Sequence, residues 1–227
     1  GKNILGYDVA DSGSDKNATT HRKGIVTYWT DEWNGKEDEL LKSCTRVHHK
    51  ARELGATVIY DSIGVGAGCG AKFNELNQTN KCSVKHAKFN AGAAVVKPEA
   101  LYERAAGIKN KDFFTNLKSQ SWWCVADRFR LTYQVVNAIK NGETPPPYQL
   151  DELISISSKC PNLEKLKMEL SIPMRDFDNN GRVKVESKKD LAKRDIKSPN
   201  IADSFIMAYA PINSGLNIRP DALKGLF

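Results

Sequence analysis

Asp8 ends the apolar run that begins at Ile4, Asp61 ends the run Thr57-Val58-Ile59-Tyr60, and Asp203 sits among Ile201, Ala202, Phe205 and Ile206. Each is a charge beside sequence that a fold will bury. Such a charge is unfavourable unless it is paired or binds a metal. Mg2+ and Mn2+ prefer oxygen ligands, and two such ions about 3.5–4 Å apart can grip both sides of a phosphodiester during in-line displacement. Carboxylates gathered from distant segments supply such ligands. Taken one at a time, each aspartate also has a structural reading, as a cap at a strand end or a helix start.

Other residue types narrow the chemistry. The four histidines, His21, His48, His49 and His86, form no HExxH pattern and read mostly as surface residues. The five cysteines are odd in number and none has CxxC spacing, which argues against a disulfide framework or a zinc knuckle and fits a reducing cytoplasm. Gly64, Gly66, Gly68 and Gly70 alternate after Asp61. That pattern has two readings: a nucleotide or S-adenosylmethionine site of Rossmann type, or a tight backbone turn beside the acids that starts a helix near Ala71. Trp122-Trp123 reads as core packing, with base stacking as the alternative.

Net charge is +7 over 227 residues. Residues 1–40 carry five Lys or Arg against eight Asp or Glu, whereas residues 81–118 carry eight against three. An acidic start and a basic middle suit a site that holds cations in one place and phosphates beside it. Lys85 and Lys88 are candidate phosphate contacts, as are Arg175, Arg182 and Lys184 on an expected hairpin; solvated surface charge is the plain alternative for each.

The length suits a single domain spanning 1–227. No stretch approaches the roughly 20 apolar residues of a membrane span, and no export leader opens the chain. Gly1-Lys2-Asn3 runs straight into Ile4-Leu5, as in a fragment of something longer.

The elements that must position the acids can be read coarsely. Strands are expected at Ile4–Val9, Gly24–Thr30, Thr57–Tyr60 and Val84–Phe89, with a polar turn after the first. Leu40, Cys44, Val47, Ala51 and Leu54 recur at helical spacing from Glu37 to Leu54, and Gly55 ends that helix. A long helix is expected over Asn116–Lys140, burying Trp123, Leu131, Val135, Val136 and Ile139. Met168–Met174 and Arg182–Glu186 read as strands joined through Asp178-Asn179-Asn180-Gly181. A last helix runs over Asn200–Tyr209, with Ser198 as N-cap and Pro199 at N1. Ser187 and Asp190 form a capping pair. Early alternation of strands and helices makes the class α/β.

Four blocks occur in order: GYDVADSGSDKNATT, VIYDSIGVGAG, NLKSQSWW and NGRVKVESKKDLAKRDIKSPNIADSFIMAYA. Together they make the chain resemble, from about Ile4 to Pro211, the C-terminal nuclease domain of tailed-phage large terminases. The last block, with its ESK…R…SPxxAD pattern, is the most specific. The resemblance implies an RNase H-like mixed β-sheet flanked by helices, with a C-terminal β-hairpin elaboration. It implies that Asp8, Asp61 and Asp203 form an acidic cluster, joined by Asp15 or less readily by Asp11. Asn200 stands where the family often has an acid. It implies DNA endonucleolysis of concatemeric viral DNA during packaging with two Mg2+ or Mn2+ ions, Asp8 bridging both by analogy. It further implies double-stranded DNA as substrate, an ATPase domain in cis, a small terminase subunit and portal as partners, and the host cytoplasm as location. No GxxxxGK[ST] motif is found, so on this resemblance the chain would be the nuclease part alone. A junction resolvase or other RNase H-like nuclease would share the acids but should lack the ESK…SPxxAD block.

Overall fold

A computed structural model of the chain describes residues 1–10, 15–35 and 39–212. Asp11 and the expected helix start at Glu37 lie outside these residues. Strands β1 (Asn3–Asp8), β2 (Lys16–Lys23) and β3 (Val26–Asn34) form a meander. Helix α1 (Leu40–Leu54) leads to β4 (Thr57–Asp61), a glycine-rich 3-10 turn, α2 (Cys69–Thr79) and β5 (His86–Phe89). Then come α3 (Asn110–Phe113), α4 (Leu117–Lys140), β6 (Ser155–Ile156), α5 (Leu163–Ser171), β7 (Arg175–Phe177), β8 (Val183–Val185), α6 (Lys188–Lys193) and α7 (Asn200–Tyr209). One six-stranded sheet has the order β5-β4-β1-β2-β3-β6, mixed in direction, and β7 pairs with β8 as a separate antiparallel hairpin. The mixed α/β sheet flanked by helices, with a small hairpin near the C-terminal end, is the architecture expected from the sequence.

Strand parity decides which side chains meet. Successive residues point to opposite faces. Leu5 and Tyr7 of β1, with Val58 and Tyr60 of β4, pack under α1 and α2 in one core cluster. Ile4 and Ile59 pack in the other, against α4, α5 and α7. Asp8 and Asp61 share the parity of Ile4 and Ile59. In the parallel register Gly6 opposes Ile59 and Tyr7 opposes Tyr60, so the two aspartates occupy the next positions along. Both strands therefore deliver a carboxylate to the α7 side of the sheet.

Helix α7 is buried along its whole length. It lies so close to β1 that a Cβ on Gly6 would overlap the Ser204 carbonyl oxygen and stand 2.9 Å from the Ala208 amide nitrogen. Thr20 and Ser204 exchange a hydrogen bond of 2.7 Å between their hydroxyls, and the Tyr209 hydroxyl donates to the Ile25 carbonyl at 2.9 Å. These contacts fasten α7 to β2 and to the start of β3.

The structure departs from the sequence reading in several places. Strand β2 was not expected: its inward positions are Asn17, Ala18, Thr19 and Thr20, so burial leaves no apolar alternation to read. The expected strand from Met168 is instead α5, in which Leu163, Leu166 and Leu170 repeat at helical spacing and the fully buried Leu166 anchors the helix. Helix α4 turns Trp122, Val125, Val135 and Ala138 inward, while Val136 and Ile139 are exposed. Helix α7 has Pro199 rather than Ser198 in the cap position, with no side-chain capping bond. His48 is buried, with its Nε2 paired to Asn77 Oδ1 at 3.0 Å. Gly55 and Ser187 hold the cap positions read from sequence, and Asn116, expected as the first residue of the long helix, is instead its N-cap, its side chain accepting from the Ser119 amide.

Replacing Gly6 by alanine should force α7 off the sheet. Overpacking of this kind costs about 1–3 kcal/mol. The expected result is a lower denaturant midpoint for Gly6→Ala at unchanged slope; an unchanged midpoint would mean that α7 does not rest on β1.

Candidate functional site

Asp8, Asp61 and Asp203 line one cleft of about 210 Å3, together with Lys118, Trp122 and Lys188. Asp8 comes from the end of β1, Asp61 from the end of β4 and Asp203 from the first turn of α7. Lys118 and Trp122, four residues apart on α4, present themselves on one face of that helix. Lys188 is the first residue of α6.

Local structure holds each acid. Beyond Asp8, the buried Asn17 side chain accepts from the Ala10 amide at 3.1 Å and from the Tyr7 hydroxyl at 2.8 Å, which fixes the exit of β1. Asp61 accepts from the Ile63 amide at 3.0 Å. The glycine run forms the 3-10 turn Gly64–Gly68, where a Cβ on Gly66 would overlap the Asp61 carbonyl oxygen. The glycines thus let the chain fold back beside the acid, the second of the two readings open from sequence. Asp203 lies next to Ser204, whose hydroxyl ties α7 to β2.

The electrostatics follow from burial. Asp8 and Asp203 are only 3% and 8% exposed. Burial first, then repulsion from Asp203 and Asp61, pushes the Asp8 carboxyl well above its ordinary range, with Lys188 and Lys118 pulling the other way. Asp61 is raised by burial too, against its Ile63 hydrogen bond and the attraction of Lys188. Burial works against the Lys188 ammonium, but Asp8, Asp203, Asp15 and Asp61 together outweigh it and raise its pKa. Each Asp203 oxygen has a lysine: Lys118 Nζ is 3.7 Å from Oδ1 and Lys188 Nζ is 3.9 Å from Oδ2.

Asp15 does not line the cleft; its carboxylate is half-exposed and stands 3.9 Å from Lys188 Nζ. None of the five basic residues read as phosphate contacts lines it either. Lys85 and Lys88 are exposed at β5, and Lys88 shares parity with the residues facing α2 rather than with Asp61. Arg182 pairs with Asp178 at 2.8 Å, Lys184 pairs with Asp176 at 2.9 Å, and the Arg175 guanidinium lies over the Phe177 ring.

The lysines of the cleft escaped the sequence reading, as did the ion pair behind one of them. Arg194 donates to Glu186 at 2.6 Å, and Glu186 also accepts from the Met174 amide at 3.0 Å. This clamp joins the hairpin to α6 and so places Lys188. The ESK…R block was the available signal: its Glu186, Lys188 and Arg194 are the clamp and the cleft cation.

Among the described residues no three or more Asp, Glu, His or Cys side chains stand ready-spaced as metal ligands; here the lysine ammonium groups stand beside the carboxylates. The donor set itself, three carboxylates without thiolate or imidazole in the cleft, suits hard cations such as Mg2+ or Mn2+.

A pH dependence follows for the metal-free protein. Folded-state carboxyls raised above the ordinary 3.8 hold their protons more tightly than the unfolded chain does. The stability this contributes is present below that ordinary value and is lost as pH rises through the raised values. In EDTA, Asp8→Asn should therefore gain melting temperature relative to the unmodified chain as pH is raised from about 4 to 8. Parallel melting curves across that range would show instead that Asp8 titrates without strain.

No protein-family model matches the chain, and no curated protein is significantly similar in sequence. Solved structures do match. The nuclease domain of the large terminase subunit gp2 of bacterial virus Sf6 superposes with a TM-score of 0.80 at 28% identity, covering 94% of this chain and 90% of that one. A mutant of the same domain with manganese and beta-thujaplicinol gives 0.79 at 27% identity over 94% and 90%. A mutant with calcium gives 0.77 at 27% identity over 93% and 89%. In fold, and over nearly its whole length, the chain is similar to the nuclease domain of the Sf6 large terminase subunit.

Proposed function

We propose that this chain is the metal-dependent DNA endonuclease part of a phage large terminase, cutting concatemeric viral DNA during genome packaging. The observation that carries the reading is the meeting of Asp8, Asp61 and Asp203 in one cleft, although they come from three separate segments. The match to the Sf6 nuclease domain supports it, as do the manganese-containing structures of that domain.

In this reading Asp8, Asp61 and Asp203 hold two divalent cations, with Asp15 at the margin. Bound Mg2+ or Mn2+ supplies Lewis-acid chemistry, polarising the phosphodiester and lowering the pKa of the attacking water. The protein's own groups do the rest. Burial keeps the carboxylates in a low-dielectric setting where their attraction for cations is strong. Lys118 and Lys188 neutralise them in the metal-free state and stand ready to meet phosphate oxygens of the substrate. Trp122 and Met207 wall the cleft against bulk water. The ATPase domain in cis, the small subunit and the portal remain the partners this reading calls for, and the host cytoplasm the place. Among the described residues no helix is long and apolar enough to cross a membrane.

Cleavage of plasmid DNA in Mn2+ or Mg2+, stopped by EDTA, is the first test. Asp8→Asn, Asp61→Asn and Asp203→Asn should each slow cutting by about a hundredfold or more, a loss of roughly 3 kcal/mol in transition-state stabilisation, with the fold retained. Asp15→Asn should do much less. Cutting by Asp8→Asn at the unmodified rate would place the chemistry elsewhere.

Binding to DNA should be electrostatic and indifferent to sequence. Affinity should fall with salt at a log–log slope of about −0.9 per phosphate contact. Lys118→Ala should make the slope shallower by about one contact on two unrelated duplexes alike. A larger change from Lys85→Ala with Lys88→Ala would move the DNA track to the β5 edge, and a strong preference for one duplex would contradict phosphate-led binding.

A further inference from the structure

The last helix carries Asp203 in its first turn but has no cap of its own. Pro199 occupies the cap position, with no side-chain capping bond. The nearest polar side chains of the same segment do not help: the Ser198 hydroxyl and the Asn200 side-chain oxygen are buried without partners. The first amides of a helix need an acceptor, most often from the residue just before it. Here the acceptor comes from another helix. Glu169 of α5, only 5% exposed, takes the Ala202 amide hydrogen at 2.9 Å, with the Ile201 amide also directed to it. Behind it, Lys165 lies 3.7 Å from Glu169 and bridges to Glu32 of β3 at 2.5 Å, while Lys16 of β2 stands 3.5 Å from Glu32.

We infer that Glu169 is a positioning residue for the metal centre: a carboxylate supplied by α5 that fixes where α7 begins and thereby where the Asp203 carboxylate stands. The inference rests on the proposal that Asp203 is a ligand. Three features carry it. Glu169 meets the amide of the residue immediately before Asp203, so displacement of that turn moves the ligand directly. Its negative charge sits at the positive end of the α7 dipole, which favours an anion there. The chain Glu169–Lys165–Glu32–Lys16 links that turn to β2 and β3, the same strands that fasten α7 through Thr20 and Tyr209. Glu169 does not line the cleft, so it acts through the backbone of α7 and not by touching metal or DNA.

The measurement is Mn2+ affinity by titration calorimetry on the intact chain without DNA, together with melting temperature. Groups that orient metal ligands from behind typically change affinity 10- to 100-fold when removed. Glu169→Ala should weaken Mn2+ binding by about tenfold, the low end of that range. Glu169→Gln, which keeps the shape and an acceptor oxygen but loses the charge, should weaken it less. Val47→Ala, in the other core cluster, is the control for destabilisation alone: it should lower the melting temperature and leave Mn2+ affinity unchanged. If Glu169→Ala does not fold, Glu169→Gln decides, since wild-type affinity in that variant overturns the inference. Wild-type affinity in both variants, or an equal loss in Val47→Ala, overturns it too. Asp203→Asn separates the two levels. If it binds Mn2+ like the unmodified chain, the metal reading itself fails; if it loses Mn2+ while the Glu169 variants do not, only the role of Glu169 falls.

Discussion

Three carboxylates held together at the margin of an apolar core repel one another and lose the water that would stabilise their charge. Asp8 and Asp203 are nearly excluded from solvent, and the raised pKa of Asp8 is the direct consequence. An arrangement of this kind persists only if the surrounding fold over-determines it and if positive charge is brought to it. Both conditions are visible. The backbone hydrogen bonds of β1 and β4 fix two of the acids side by side, and α7 is pressed onto β1 by packing that tolerates no side chain at Gly6. Lys118 and Lys188 then supply the cations, from α4 and α6.

Helix α7 is the element on which this depends most. It is buried on all sides, so its position is set by neighbours and not by an amphipathic preference of its own. Hydroxyl pairs from β2 and β3, the Arg22 side chain donating to the Ala208 carbonyl at 2.5 Å, and the Glu169 carboxylate at its start satisfy polar groups that would otherwise be orphaned. Buried polar groups of this kind are unfavourable when unpaired and specific when paired. The polar inward face of β2, which made that strand hard to recognise, serves this helix: its Thr20 is the partner of Ser204.

The hairpin and α6 play a similar part for Lys188. Glu186 and Arg194 form one ion pair across the bend, and the Ser187 hydroxyl accepts from the Asp190 amide to start α6. A conspicuous sequence block thus turns out to be a clamp, a cap and a cleft cation in succession. The hairpin's own arginine and lysine are largely matched by its own aspartates, so its basic composition alone says little about DNA.

Local order was readable where a single physical rule dominates. Apolar runs ended by aspartate marked β1 and β4, helical spacing marked α1, and Gly55 marked its end, because burial and capping act over a few residues. The parity of Asp8 with Ile4 and of Asp61 with Ile59 is likewise fixed by the two-residue repeat of a strand. What sequence could not decide is set by partners far along the chain. Strand β2 buries the Thr20 hydroxyl because α7 brings Ser204 to meet it. Helix α5 hid behind a strand-like stretch at Met168 until Leu166 found its core. Lys118 and Lys188 became cleft residues only when α4 and α6 docked. Glu169 became the cap of α7 only because α5 packs against it, 33 residues away in sequence. The acids were legible as types and positions; their meeting, and the cations that make it tolerable, belong to the tertiary structure, because charge interactions are decided by distance in space and by the water that packing removes.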